Sequence, residues 1–71
     1  MEVLVFKTSV AEQSEVNKLY ALLMGFADIK QVTVDLEDCD RVLRIVGENP
    51  SASLIKSLVR SLGVSCSELE G

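Results

Sequence analysis

Two glutamates, Glu12 and Glu15, stand three residues apart in the stretch SVAEQSEV, where a strand should hand over to a helix. On a helix that spacing puts both carboxylates on one face, as in a two-ligand site or an ordinary helix start. Carboxylate oxygens suit hard cations, but Ca²⁺ takes ~6–8 of them, and no others converge here in sequence. Soft Cu(I) and tetrahedral Zn(II) want thiolate or imidazole. The chain has no histidine, and its two cysteines, Cys39 and Cys66, lie far apart without ligand-like spacing. A helix start needs less: carboxylates in the first turn interact favourably with the helix dipole, by ~0.3–1 kcal/mol each. The balance falls on a cap, with no bound metal and no cofactor.

Catalysis fares no better. Without histidine, activation of a serine or cysteine by imidazole is excluded. Ser53, Ser57 and Ser61 recur every fourth residue, the solvent stripe of a helix. Gly47 and Gly63 stand alone, with no phosphate-cradling loop around them. The expectation is a protein that is not an enzyme.

The 71 residues make one small domain over 1–71, expected to bury only ~60% of its unfolded surface. At 48% hydrophobic, with no Trp, one Tyr and two Phe, the core must be built from aliphatic side chains. It lacks the aromatic platforms that stack bases. A net charge of −4 repels phosphate backbones, so nucleic acid is not an expected partner. The opening MEVLVFKTSV has no basic stretch and too short an apolar run for a signal peptide or membrane span. The expected location is cytoplasmic, with free thiols and no membrane association.

The elements that must position these residues follow from periodicity. Residues 2–7 are apolar on both alternations, as a central strand is. A first helix is expected from Ser9, with Ser9 and Glu12 forming a capping box. Apolar residues at 16, 19, 22, 23 and 26 carry it to Phe26, with Gly25 near its end. Residues 29–36 alternate, 37–40 form a polar turn, and 41–46 return as the second arm of a hairpin. A second helix is expected from Asn49-Pro50, Pro50 taking its first position. Leu54, Ile55, Leu58, Val59 and Leu62 give its buried stripe and Gly63 a left-handed cap. Residues 64–69 make a last edge strand. The order βαββαβ, with right-handed crossovers, gives a ferredoxin-like α+β sandwich. Its antiparallel sheet has order 4-1-3-2, with both helices on one face.

Three stretches, DIKQVTVDL, RVLRIVGENP and LIKSLVRSLGV, resemble the second half of a heavy-metal-associated domain, the small copper and zinc carrier module. Ile29, Val32, Val34, Asp35, Leu36, Leu43, Ile45, Leu58, Val59, Gly63 and Val64 fill that family's places. Asp28 replaces its usual Gly, and Val64 its aromatic or Lys. The family carries metal on a Gly-Met-Thr-Cys-x-x-Cys loop after the first strand. The resemblance puts Glu12 and Glu15 at the two cysteine positions, Val10 at the Met and Ala11 at the Thr. It implies the family's fold without its thiolates. The functional expectation is an interaction or regulatory module, the alternatives being a metal carrier with an atypical ligand set and an ACT-type small-molecule-binding domain. An RNA-recognition domain would need aromatic and basic residues where RVLRIVGE stands.

One surface remains. If Leu4, Phe6, Val32, Val34, Leu36, Leu43 and Ile45 face the helices, then Val3, Val5, Val42, Arg44 and Val46 face away, on neighbouring strands. An apolar patch rimmed by charge on a small domain marks an interface. A protein partner or a second copy is expected there.

Overall fold

The computed structural model describes residues 1–69. Glu70 and Gly71, within the expected domain, lie outside the described residues. The chain runs β1 (Glu2–Thr8), α1 (Gln13–Leu23), β2 (Ile29–Asp35), β3 (Val42–Gly47), α2 (Ala52–Arg60) and β4 (Cys66–Glu68). The sheet order is β2-β3-β1-β4, with every pairing antiparallel, which is the expected order read from the other edge. This is the ferredoxin-like βαββαβ sandwich.

Alternation along the strands decides which face is covered. Phe6, Val32, Leu43 and Ile45 are buried and join Leu19 and Leu23 of α1 and Ile55 and Val59 of α2 in one aliphatic core. Each such side chain removed fully from water contributes about 1.5–3 kcal/mol before conformational entropy is counted. Leu4, Val34 and Leu36 pack half-buried against the same core. The opposite alternation is left open to solvent, as expected.

Both helices start later than periodicity alone suggests. The cap of α1 is Glu12, not Ser9, and Glu15 is the third helical residue of the capping box. Ser9 is occupied elsewhere: its Oγ accepts the Ser65 N–H at 2.9 Å, and its own N–H donates to Ser65 O at 3.2 Å. A long-range bond has overridden a local capping signal. α1 ends at Leu23, and Phe26 lies beyond it, with its N–H on Leu23 O at 3.1 Å. In α2 the cap is Ser51, whose Oγ accepts the Leu54 N–H at 3.3 Å, so Pro50 precedes the helix instead of opening it. The helix is only nine residues long. Its stripe narrows to Ile55 and Val59, with Leu58 half-buried, while Leu54 and Leu62 stay 46% and 39% exposed.

The strand ends shift less. Arg41 leaves β3 to take a left-handed φ of 48° in the turn, and its guanidinium donates to Leu36 O at 2.8 Å. β4 is three residues long, shorter than expected, although the Leu69 N–H still reaches Val5 O at 2.9 Å. Gly63 takes the expected left-handed conformation after α2, at φ 81°. Ser53, Ser57 and Ser61 are exposed, as their stripe requires.

Candidate functional site

The loop after β1 is built from its buried end outward. Thr8 is buried, and its N–H donates to Asp40 O at 3.1 Å. Its Oγ1 donates to Arg41 O at 2.6 Å and accepts the Val10 N–H at 3.3 Å. Val10 is completely buried, the apolar anchor that the resemblance places there. With the Ser9–Ser65 pair, these bonds tie the β1–α1 loop to the β2–β3 turn on one side and the α2–β4 connection on the other. The three loops form one end of the molecule.

At that end Glu12 is exposed and Glu15 half-buried. Glu15 Oε1 accepts the backbone N–H of Ala11 at 3.0 Å and of Glu12 at 3.2 Å. One Glu12 carboxylate oxygen accepts the Ser14 hydroxyl at 3.4 Å. The first turn of a helix leaves its amide donors without intrahelical partners, and here a carboxylate takes up two of the amides at the cap. Both residues belong to the cap, Glu15 turning its carboxylate to the backbone and Glu12 accepting a neighbouring hydroxyl.

Cysteine chemistry is split across the fold. Cys39 is exposed in the β2–β3 turn and Cys66 is buried at the start of β4. Burial pushes the Cys66 thiol up from its usual range, Arg60 and Lys56 offset this in part, and Glu68 adds to it. Arg60 also donates to Cys66 O at 2.9 Å. A buried thiol held protonated is inert as a nucleophile and as a ligand.

Residues 37–40, a polar turn by sequence, group possible ligand atoms. Folded, Asp38, Cys39 and Asp40 hold one carboxylate oxygen, one sulfur and another carboxylate oxygen within 4.8 Å of one another. The run EDCD was the available signal. The acids are already engaged: Asp38 Oδ1 accepts the Asp40 N–H at 2.8 Å, and Asp40 pairs with Lys7 at 3.6 Å.

The sheet-face residues do come together. Val3 pairs with Val46, Val5 with Arg44, and Asp35 with Val42. Val3 is 56% exposed, Arg44 is exposed, and Val5, Val42 and Val46 are half-buried. Val3, Val42, Arg44 and Val46 border one open depression with Asp35. Among the described residues no helix is long and apolar enough to cross a membrane.

Solved structures resembling the chain are heavy-metal-associated domains. The yeast copper transporter domain Ccc2a superposes with a TM-score of 0.87 at 14% identity, over 99% of this chain and 97% of that one. The heavy-metal-associated domain of the copper chaperone for superoxide dismutase gives 0.79 at 22%, over 96% of this chain and 66% of that one. The N-terminal domain of ZntA in its Zn(II) form gives 0.79 at 17%, over 97% and 93%. A chain of the Atx1–Cu(I)–Ccc2a complex is also similar, at 0.86 and 14%, over 99% and 97%. No protein-family model matches the chain. No curated protein sequence matches it either. At such identities the shared property is the fold, and the fold is that of the heavy-metal-associated domains.

Proposed function

We propose that this chain is a non-enzymatic, cytoplasmic interaction or regulatory module on the heavy-metal-associated scaffold, its first-loop metal site replaced by a helix cap. One observation carries the reading. Glu15 stands where the resemblance puts the second thiolate, and its carboxylate accepts two backbone N–H groups at the start of α1. A thiolate pair would point its charge at a soft cation, whereas this carboxylate accepts the amides of Ala11 and Glu12 just ahead of the helix, as a capping box does. The acidic, histidine-free composition supports the same reading. With that loop spent on folding, the open sheet face bearing Val3, Val5, Val42, Arg44 and Val46 is the surface left for a partner.

A second reading, metal carriage through an unusual ligand set, is favoured by the Asp38–Cys39–Asp40 grouping. One experiment separates the two. Native mass spectrometry of the reduced protein with Cu(I) and with Zn(II) is expected to show a metal-free mass, while the double variant E12C/E15C takes up one Cu(I). That gain is expected because thiolates in the first turn of a helix are stabilised by its N-terminal amides. A stoichiometric adduct on the unaltered protein would overturn the proposal, and its loss in Cys39→Ser would move the metal site to the β2–β3 turn. A double variant that stayed metal-free would show that positions 12 and 15 are not the site of the family's thiolates.

A further inference from the structure

The open face mixes opposite charges in one place, and that mixture says what covers it. Arg44 lies between Thr33 on β2 and Val5 on β1, at the middle of the face. Among the described residues the ion pairs are Lys7–Asp40 and Lys56–Glu68, and neither involves Arg44. Asp35 lies two residues from Thr33 on β2, so strand alternation turns it to the same face, beside Val42. One of its oxygens accepts the Glu37 N–H at 3.0 Å, which leaves the other without a partner among the described residues. Arg44 and Asp35 border the same depression, with Val3, Val42 and Val46 around them and a second acid, Asp38, whose Oδ1 already accepts the Asp40 N–H at 2.8 Å.

A partner of one charge sign would satisfy only half of this surface. An acidic segment that met Arg44 would also meet Asp35, and a basic one the reverse. A second copy related by a twofold axis satisfies both, because in such an interface residue i contacts j and residue j contacts i. Resting on the reading of this face as the interaction surface, we infer that it pairs with a second copy of this chain. Arg44 of each copy faces Asp35 of the other, and the valines are buried between them. Size sets the strength. The Cα extents of the molecule are 27, 25 and 18 Å, so one face of it offers little room beyond the ~800 Å² per partner of a standard stable interface. A face of this size is small for a permanent assembly, so the dimer is expected to exchange with monomer.

Native mass spectrometry and sedimentation in the presence of a chelator test this directly. The unaltered protein is expected to dimerise with rising concentration. Val5→Asp, Arg44→Asp and Asp35→Arg should each weaken the dimer at least about tenfold, by burying a charge or opposing like charges. Each site is at the surface, and circular dichroism would confirm that each variant folds. Mixing R44D with D35R should restore association, because the mixed pair matches opposite charges at both contacts. Monomer at every concentration, or a dimer indifferent to all three substitutions, would overturn the inference. A monomer that was also metal-free would leave the interaction-module reading standing. A dimer that formed only on adding Zn(II) and vanished with Cys39→Ser would sink both.

Discussion

The two cysteines show how far the same residue type can diverge in 69 described positions. Cys39 sits exposed at a turn, and Cys66 lies in the core against Thr8, its Cα partner on β1. An uncharged aromatic disulfide reagent should therefore react with Cys39 in the native state. Cys66 should react only as fast as the β4 edge opens, giving two kinetic phases. Cys39→Ser should delete the fast phase alone; a fast phase that survived would show Cys66 to be accessible. Burial raises the Cys66 thiol above its ordinary value of 9.0, so the folded state prefers the protonated form. That stabilisation is complete below pH 9 and is lost as pH rises through the folded value, since the unfolded thiol ionises first. Urea midpoints should thus fall more steeply above pH 9 for the unaltered protein than for Cys66→Ala, which carries a cavity cost but no thiol titration. Parallel curves would remove this account of Cys66.

At the scale of elements, backbone packing sets limits that no side-chain pattern announces. Gly47 ends β3 where the chain enters β2: a Cβ there would lie 2.2 Å from Asp28 O and 3.3 Å from Ile29 Cα. The Glu48 N–H holds that same carbonyl at 2.9 Å, and the β2–β3 register shifts between Ile29 and Gln31. Gly47→Ala must push two strands apart and should cost about 1–3 kcal/mol, as overpacking does. Gly63→Ala meets nothing within 4 Å, and its penalty is the left-handed φ of 81° alone, about 1 kcal/mol. Chemical denaturation should rank G47A below G63A in stability, and the reverse order would refute the packing argument. The contrast shows what could be read beforehand. Gly63 was legible because a helix end calls for a left-handed residue, whereas the need for glycine at 47 arises from a neighbour nineteen positions earlier. The same distinction separates the βαββαβ order, set by periodicity within each segment, from the start of α1. Ser9 has every local qualification as a cap, and only the folded α2–β4 connection shows that Ser65 has claimed it. At the site, Glu12 and Glu15 were legible as a pair, but the direction of the Glu15 carboxylate was not, because it depends on where the helix begins.

For the molecule as a whole, charge and size together determine how the proposed pairing responds to salt. Each copy carries a net charge of −4, so two copies repel as bodies even while Arg44 and Asp35 attract across the face. The two effects differ in range. At about 0.01 M ionic strength the screening length is ~30 Å, longer than one copy's greatest extent of 27 Å, so charges well outside the interface are felt across it. Near 0.15 M the length falls to ~8 Å and the whole-body repulsion fades, while the exchanged pairs at the interface, partly shielded from solvent, persist. Valine burial is insensitive to this screening. Association should therefore tighten between these two salt concentrations and change little beyond them, as measured by sedimentation at fixed protein concentration. Neutralising an acid away from the face, for example with Asp28→Asn in the α1–β2 loop, should flatten the low-salt part of that curve, because the exposed Asp28 carboxylate makes no hydrogen bond or ion pair among the described residues and acts through the net charge. A dimer that weakened steadily from the lowest salt upward would mean that the Arg44–Asp35 contacts, rather than the apolar face, hold the two copies together.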